Sequence, residues 1–192
     1  MGVRAEQRDK RLRDVREATW RLFQDQGYES TTVRQIATKA NVATGTVMNF
    51  GGKETLLLAL FETAIAEHME PSPRQDATAV DAVWHHYKPY FDFYASVPEL
   101  ARSYGRILLS PAARGHPALG SQARDFNTLV ARDISNRHPL APENDAARMA
   151  EALFGLYIHA LVAWVSSAAT LDEATASFRQ QIAWQLARFD NA

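Results

Sequence analysis

Apolar residues recur at three- and four-residue intervals along nearly the whole chain. Nowhere do Val, Ile and Thr alternate with polar residues over the length of a strand. The pattern predicts an all-α protein. A first helix is expected over about Arg8–Gln26, with Leu12, Val15, Leu22 and Phe23 as its inward stripe and Gly27 as a left-handed cap. Ser30, Thr31 and Thr32 offer hydroxyl caps for a short helix reaching about Lys39, whose Val33, Ile36, Ala37 and Ala40 face inward. Asn41 falls at a turn that needs positive φ, which Asn tolerates better than most residues. A third short helix over about Ala43–Asn49 is broken by Gly51-Gly52, and a fourth runs from Lys53 to about Met69.

Pro71-Ser72-Pro73-Arg74-Gln75-Asp76 reads as a linker. Beyond it helices are expected over about Thr78–Ser96 (kinked at Pro89), Glu99–Ser110, Ser121–Arg137, Glu143–Ala169 and Asp172–Phe189. Loops separate them at Pro111–Gly120 and His138–Pro142. The organisation predicts an N-terminal helical domain over residues 1–52, a connecting helix over 53–69, and a larger helical domain over 70–192.

The net charge of −1 over 192 residues hides an uneven distribution. Residues 1–21 hold seven Arg/Lys against four Asp/Glu, and the stretch from Ser30 to Lys53 holds Arg34, Lys39 and Lys53 with no acid. From Met69 onward eleven basic residues face thirteen acidic ones. A basic first quarter on an acidic body suits contact with phosphate at one end only. The chain has no cysteine, which excludes a disulfide scaffold, a thiolate metal site and a cysteine nucleophile, and fits a reducing cytoplasm. The start of the chain lacks the apolar core of a secretion signal. The longest apolar run, Ala152–Val165, is interrupted by His159 and is shorter than the roughly 20 residues that span a bilayer. A soluble cytoplasmic protein with no membrane partner is expected.

The two short helices, Thr32–Lys39 and Ala43–Asn49, have helix-turn-helix proportions. In such a motif the first helix rests across the sugar-phosphate backbone and the second enters a major groove about 12 Å wide. Small residues at the start of Ala43–Asn49 allow close approach to base edges. Thr44 and Thr46 supply hydroxyls and methyls, and Asn49 supplies an amide.

From Val15 to Leu57 the chain resembles the N-terminal signature of TetR-family transcriptional regulators. The matching pieces are Leu22-Phe23 ahead of Gly27-Tyr28, Thr31-Thr32-Val33 leading to Ile36-Ala37, Ala40-Asn41-Val42, Gly45-Thr46-Val47, and Phe50-Gly51-Gly52-Lys53-Glu54 with Leu56. The resemblance implies Thr31, Thr32 and Arg34 near a phosphate, Thr44, Gly45 and Thr46 at the groove floor, and Lys53 as a phosphate contact at a helix N-terminus. Met48 and Asn49 complete the candidate DNA-binding set. The family usually has Tyr where this chain has Met48, two residues before Phe50 where this chain has only Asn49, and Gly where it has Asn41. Those departures fall on the DNA contacts rather than the fold.

Ala152–Val165 is apolar around nearly its whole circumference, so it must be covered on more than one side. Packing against a second copy of itself and of the last helix, with Phe178, Ile182, Trp184, Leu186 and Phe189, predicts a homodimer built on a four-helix interface. The family resemblance implies the same helices. Aromatic residues crowd the middle of the chain, and kinked bundles often enclose apolar pockets with a few polar groups. Candidate effector-binding residues are Trp84, Tyr87, Phe91, Tyr94, Tyr104, Arg106, Phe126, Phe154, Tyr157 and His159, suited to a flat hydrophobic or aromatic small molecule.

His85 and His86 point about 100° apart on a helix and do not chelate together, so no metal is expected. No nucleophile elbow, phosphate-binding Gly loop or paired-carboxylate motif is present, so neither catalysis nor a cofactor is expected. The expected function is regulation of transcription: a repressor bound to double-stranded palindromic operator DNA and released by the effector. The alternative is a helical small-molecule-binding protein of the same family with weakened or lost DNA binding.

Overall fold

The computed structural model describes residues 3–68, 78–113, 120–138 and 143–189. Among these residues every regular element is a helix, as the apolar spacing requires. The helices are α1 (Val3–Ser30), α2 (Val33–Lys39), α3 (Thr44–Asn49), α4 (Gly52–His68), α5 (Ala79–Ser96), α6 (Pro98–Leu108), α7 (Ser121–Arg137), α8 (Glu143–Val165) and α9 (Leu171–Phe189). A single 3₁₀ turn, Pro111–Ala113, follows α6. The linker expected at Pro71–Asp76, the Met69 end of the fourth helix and most of both expected loops lie outside the described residues.

Two compact units emerge. One holds α1 to α3, α4 as far as Ala66, α6 and the 3₁₀ turn; the other holds α5, α7, α8 and α9. The sequence reading placed a single boundary near residue 70, whereas packing groups α6 with the first unit. The reason is the inward face of α6: Leu100, Ala101, Tyr104, Ile107 and Leu108 are all buried, the helix packs on α1, and Tyr104 stacks on Phe61 of α4 with centroids 4.4 Å apart.

Within the first unit, Val15, Leu22, Ile36, Ala37, Val47 and Leu56 form one buried cluster, with Val33, Ala40, Val42 and Phe50 packed around it. Each large apolar side chain fully removed from water contributes roughly 1.5–3 kcal/mol, so the two short helices α2 and α3, without independent stability, are held by this shared core. Leu12 is half-buried rather than buried, and α1 begins at Val3, earlier than the apolar stripe suggests.

In the second unit α8 packs on both α7 and α9, while α5 packs on α7 and α9. Pro89 is accommodated inside α5. Thr78 caps that helix by accepting from the Asp81 amide at 3.1 Å, and Thr170 caps α9 through a reciprocal pair with Glu173. By length and composition α8 would pass as a membrane span, with about a third of that stretch buried. α8 ends before the expected Ala169, and Ser167 takes positive φ in the turn that follows.

Candidate functional site

The turn into α2 is built from hydroxyls. At Gly27 φ is +81° and ψ 166°, a combination only glycine adopts freely, and it differs from the left-handed cap expected there. The Gly27 carbonyl accepts the Thr31 hydroxyl at 2.8 Å. Thr32 then caps α2: its hydroxyl accepts from the Gln35 amide at 3.2 Å, and the Gln35 side chain accepts from the Thr32 amide at 2.8 Å. At the other end of α2, Asn41 takes φ +53°. Its amide donates to the Thr38 carbonyl and that of Val42 to the Ala37 carbonyl, the two bonds of a Schellman stop.

That stop sets the start of α3. Val47 is fully buried against α1 and α2 residues, and Thr46 is half-buried. On the opposite side Thr44, Gly45, Met48 and Asn49 are all exposed. They occupy two i, i+4 pairs, so they form one continuous face. Gly51 ends the helix at φ +95°, where an added Cβ would lie 2.5 Å from the Thr55 hydroxyl, so only glycine fits. Lys53 follows in the first turn of α4. Its ammonium donates to the Tyr28 carbonyl at 3.0 Å and sits 4.0 Å from the Tyr28 ring centroid.

Of the nine residues proposed for DNA contact, Thr32, Arg34, Thr44, Gly45, Met48 and Asn49 are exposed, and Thr46 and Lys53 are half-buried. Arg34 makes no ion pair among the described residues. Thr31 is a correction. It is 1% exposed, its hydroxyl is bonded to Gly27, and Gln26 donates to it at 3.2 Å, so it shapes the turn and has no free face to offer a phosphate.

The proposed effector residues divide between the units. Trp84, Tyr87, Phe91, Phe126, Phe154 and Tyr157 come together in the second unit, with Tyr87 5.0 Å from Phe126 and 5.6 Å from Tyr157 between ring centroids. Tyr94 joins them through a 2.7 Å hydrogen bond between its hydroxyl and that of Tyr157. Burial raises the Tyr87, Tyr90 and Tyr94 hydroxyls above the usual tyrosine range, so all three stay neutral. Tyr90, one of the aromatics crowding the middle of the chain, and Phe178 belong to this ring cluster, though neither is among the candidate effector residues. Phe178 was read as dimer surface because it lies on the last helix, though its spacing from Ala174 and Ile182 marks the inward stripe. Tyr104 and Arg106 are grouped with the first unit, where Arg106 donates to the Ser103 hydroxyl at 3.1 Å and pairs with Glu29 at 3.5 Å. His159 is exposed on α8 and lines a cavity of about 350 Å³ between α8 and α9, with Ala163, Glu173 and Ser177.

Residues 15–60 match the family model for bacterial regulatory proteins of the tetR family. Over that segment the chain is similar to the tetR family. The match covers the first-unit helices that carry the exposed α3 face and Lys53. The chain is also 34% identical over 68 residues to the HTH-type transcriptional regulator HbdR of Aromatoleum sp. (strain CIB). The alignment takes in 35% of this chain and 30% of that relative, so the chain spans about a third of the curated protein it matches. Solved structures share the fold over most of the chain. Thermus thermophilus FadR, a TetR-family transcriptional repressor solved in complex with lauroyl-CoA, superposes with a TM-score of 0.64 at 20% identity, covering 89% of this chain and 92% of that one. A transcriptional regulator from Aquifex aeolicus VF5 gives 0.55 at 17% identity over 91% and 98%. A TetR-like regulator from Rhodococcus sp. RHA1 gives 0.53 at 17% over 91% and 94%. These likenesses establish the tetR-type all-helical architecture.

Proposed function

We propose that this chain is a homodimeric, ligand-responsive regulator of transcription that binds double-stranded operator DNA through α2, α3 and the start of α4. One observation carries the reading: α3 is buried on one side through Val47 and bare on the other through Thr44, Gly45, Met48 and Asn49. A six-residue helix gains nothing in stability from an uncovered polar face, whereas a major groove is read by such a face. A dimer supplies two of these faces, and a spacing of about 34–36 Å lets both enter successive grooves of a palindrome. The exposed Val162 and Trp184 of α8 and α9 support a second copy as the cover for those helices.

The second unit is the effector-holding part, and repression relieved by a small hydrophobic or aromatic molecule is the outcome that fits it best. The ring-lined interior supports that chemistry, and FadR, with lauroyl-CoA bound, supports the architecture as one that accepts a ligand. The chain crosses between the units after Ala66 and again between Ser96 and Val97, so α4 and α6 are covalent routes for a ligand-dependent shift. Such an effector must discriminate between two states by its own contacts, typically 1–3 kcal/mol of coupling. A regulator of transcription of this kind works in the cytoplasm.

Gel-shift titration with duplexes flanking the protein's own gene, at two salt concentrations, tests the reading. Saturable binding to a near-palindrome, weakened by salt and exceeding that to scrambled duplex by a thousandfold or so, is the expected result. Equal affinity for all duplexes, or none, rejects it in favour of a helical small-molecule-binding protein.

A further inference from the structure

The exposed face of α3 contains one residue whose chemistry neither hydrogen bonding nor charge explains. Met48 is 57% exposed, the most exposed of the large apolar side chains described. It projects one turn beyond Thr44 and beside Asn49, both exposed. One turn back on its other flank is Gly45, where an added Cβ would meet nothing within 4 Å. Its thioether lies over Gly52, whose added Cβ would stand 3.7 Å from the Met48 sulfur. Met48 therefore stands as a single, largely exposed apolar side chain between two hydrogen-bonding ones, with its thioether beside Gly52. A protein partner would demand a contiguous apolar patch at the core of its interface, and Thr44, Gly45 and Asn49 do not supply one. A base-pair edge in the major groove offers what this face does offer: hydrogen-bonding groups with, at thymine alone, one methyl among them.

Resting on the operator-binding reading, we propose that Met48 is a specificity-determining residue that packs on the 5-methyl group of a thymine in each operator half-site. A tyrosine at this position would bond a phosphate and hold the helix in place; the thioether cannot accept that role and instead selects sequence. Thr44 and Asn49 on either side address the neighbouring polar edges.

The test uses the full-length dimer and duplexes selected by it from a randomised library. In the selected sequence each thymine is replaced singly by deoxyuridine, which removes the methyl and leaves every hydrogen-bonding group. For the wild-type protein one replacement per half-site is expected to weaken binding about fourfold, the effect of losing one buried methyl. Met48→Ala is expected to bind thymine and deoxyuridine duplexes equally, and Met48→Leu to restore the preference for thymine. Because the side chain is exposed, these variants fold as the wild type does. If no deoxyuridine substitution weakens wild-type binding, or if Met48→Ala shows the same loss, the assignment of Met48 is wrong while specific DNA binding stands. If the library yields no enriched duplex at all, the operator-binding reading falls and the Met48 inference falls with it.

Discussion

Lys53 and Tyr28, twenty-five positions apart, are joined twice: the ammonium donates to the Tyr28 carbonyl at 3.0 Å and lies 4.0 Å from its ring. The pair ties the end of α1 to the start of α4 across the turn that carries α2 and α3. It also fixes the cation proposed to meet a phosphate before any DNA arrives. Lys53→Met is expected to lose about 1–3 kcal/mol of stability, from a charged hydrogen bond and a cation–π contact. It should also weaken binding to all duplexes alike and reduce the salt slope by about one. Tyr28→Leu removes the ring but keeps the carbonyl, so it should cost stability with little change in the slope. Salt-dependent titration beside urea unfolding separates the two effects; an unchanged salt slope in Lys53→Met would reject the phosphate contact.

The Tyr28 hydroxyl is pushed up to about 12, by burial first and then by Glu54 and Glu29. It stays neutral throughout the working range and contributes no pH dependence near neutrality.

Thr31 and Arg34 came from the sequence as neighbours on one phosphate, and the structure sets them apart. Thr31→Val keeps the shape and removes the hydroxyl that Gly27 accepts, so stability should fall by about 1–2 kcal/mol. Its salt slope should match wild type. Arg34→Ala is expected to do the reverse, lowering affinity and slope while changing the unfolding free energy by less than about 0.5 kcal/mol. Should Thr31→Val change the slope as Arg34→Ala does, Thr31 reaches a phosphate in the DNA-bound state despite its burial in the free protein.

These two residues show where sequence reading reaches its end. Caps and stops were legible because each demands a residue type: a hydroxyl among Ser30, Thr31 and Thr32, Asn41 at positive φ, and Gly51-Gly52 to break the third helix. The outward Thr44 and Asn49 of α3 were legible from their polarity, whereas the half-burial of Thr46 depends on how Val47 packs. Thr31 and Thr32 are chemically identical, and only the path of the chain at Gly27 turns one hydroxyl inward. The grouping of α6 was hidden for a similar reason. Tyr104 reads as an aromatic among many, and its stacking on Phe61, 43 positions earlier, is a tertiary fact with no local signature.

His86 offers a titration with a definite sign. It is buried on α5, and its Nε2 lies 3.5 Å from Asp133 on α7, which is itself 3.6 Å from Arg137. Burial holds the imidazole below its usual value, outweighing the Asp133 charge that opposes the shift, while His85 and Arg132 add to the lowering. A folded value below the unfolded one means stability is present above about pH 6.5 and is lost as pH falls towards the folded value. Urea midpoints are expected to drop between pH 7 and pH 5. His86→Gln should flatten that dependence. A variant retaining the full slope would assign it to other groups.

The outer faces of α8 and α9 give the last prediction. Val162 is 41% exposed and Trp184 54%, on helices whose inward stripes are already buried through Leu153, Leu161, Phe178 and Ile182. Two such side chains left in water cost more than most surface positions, and tryptophan is the residue type whose truncation most often weakens an interface by 2 kcal/mol or more. If a second copy covers this face, Trp184→Ala should weaken self-association about thirtyfold, and Val162→Asp should weaken it further by burying an unpaired charge. Operator affinity should fall with dimer affinity, because a monomer presents only one α3 to a two-fold site. Sedimentation velocity across a concentration series reads the association, and circular dichroism verifies that helix content is retained. Variants that sediment as the wild type would move the dimer interface away from α8 and α9, and with it the spacing on which two-groove recognition depends.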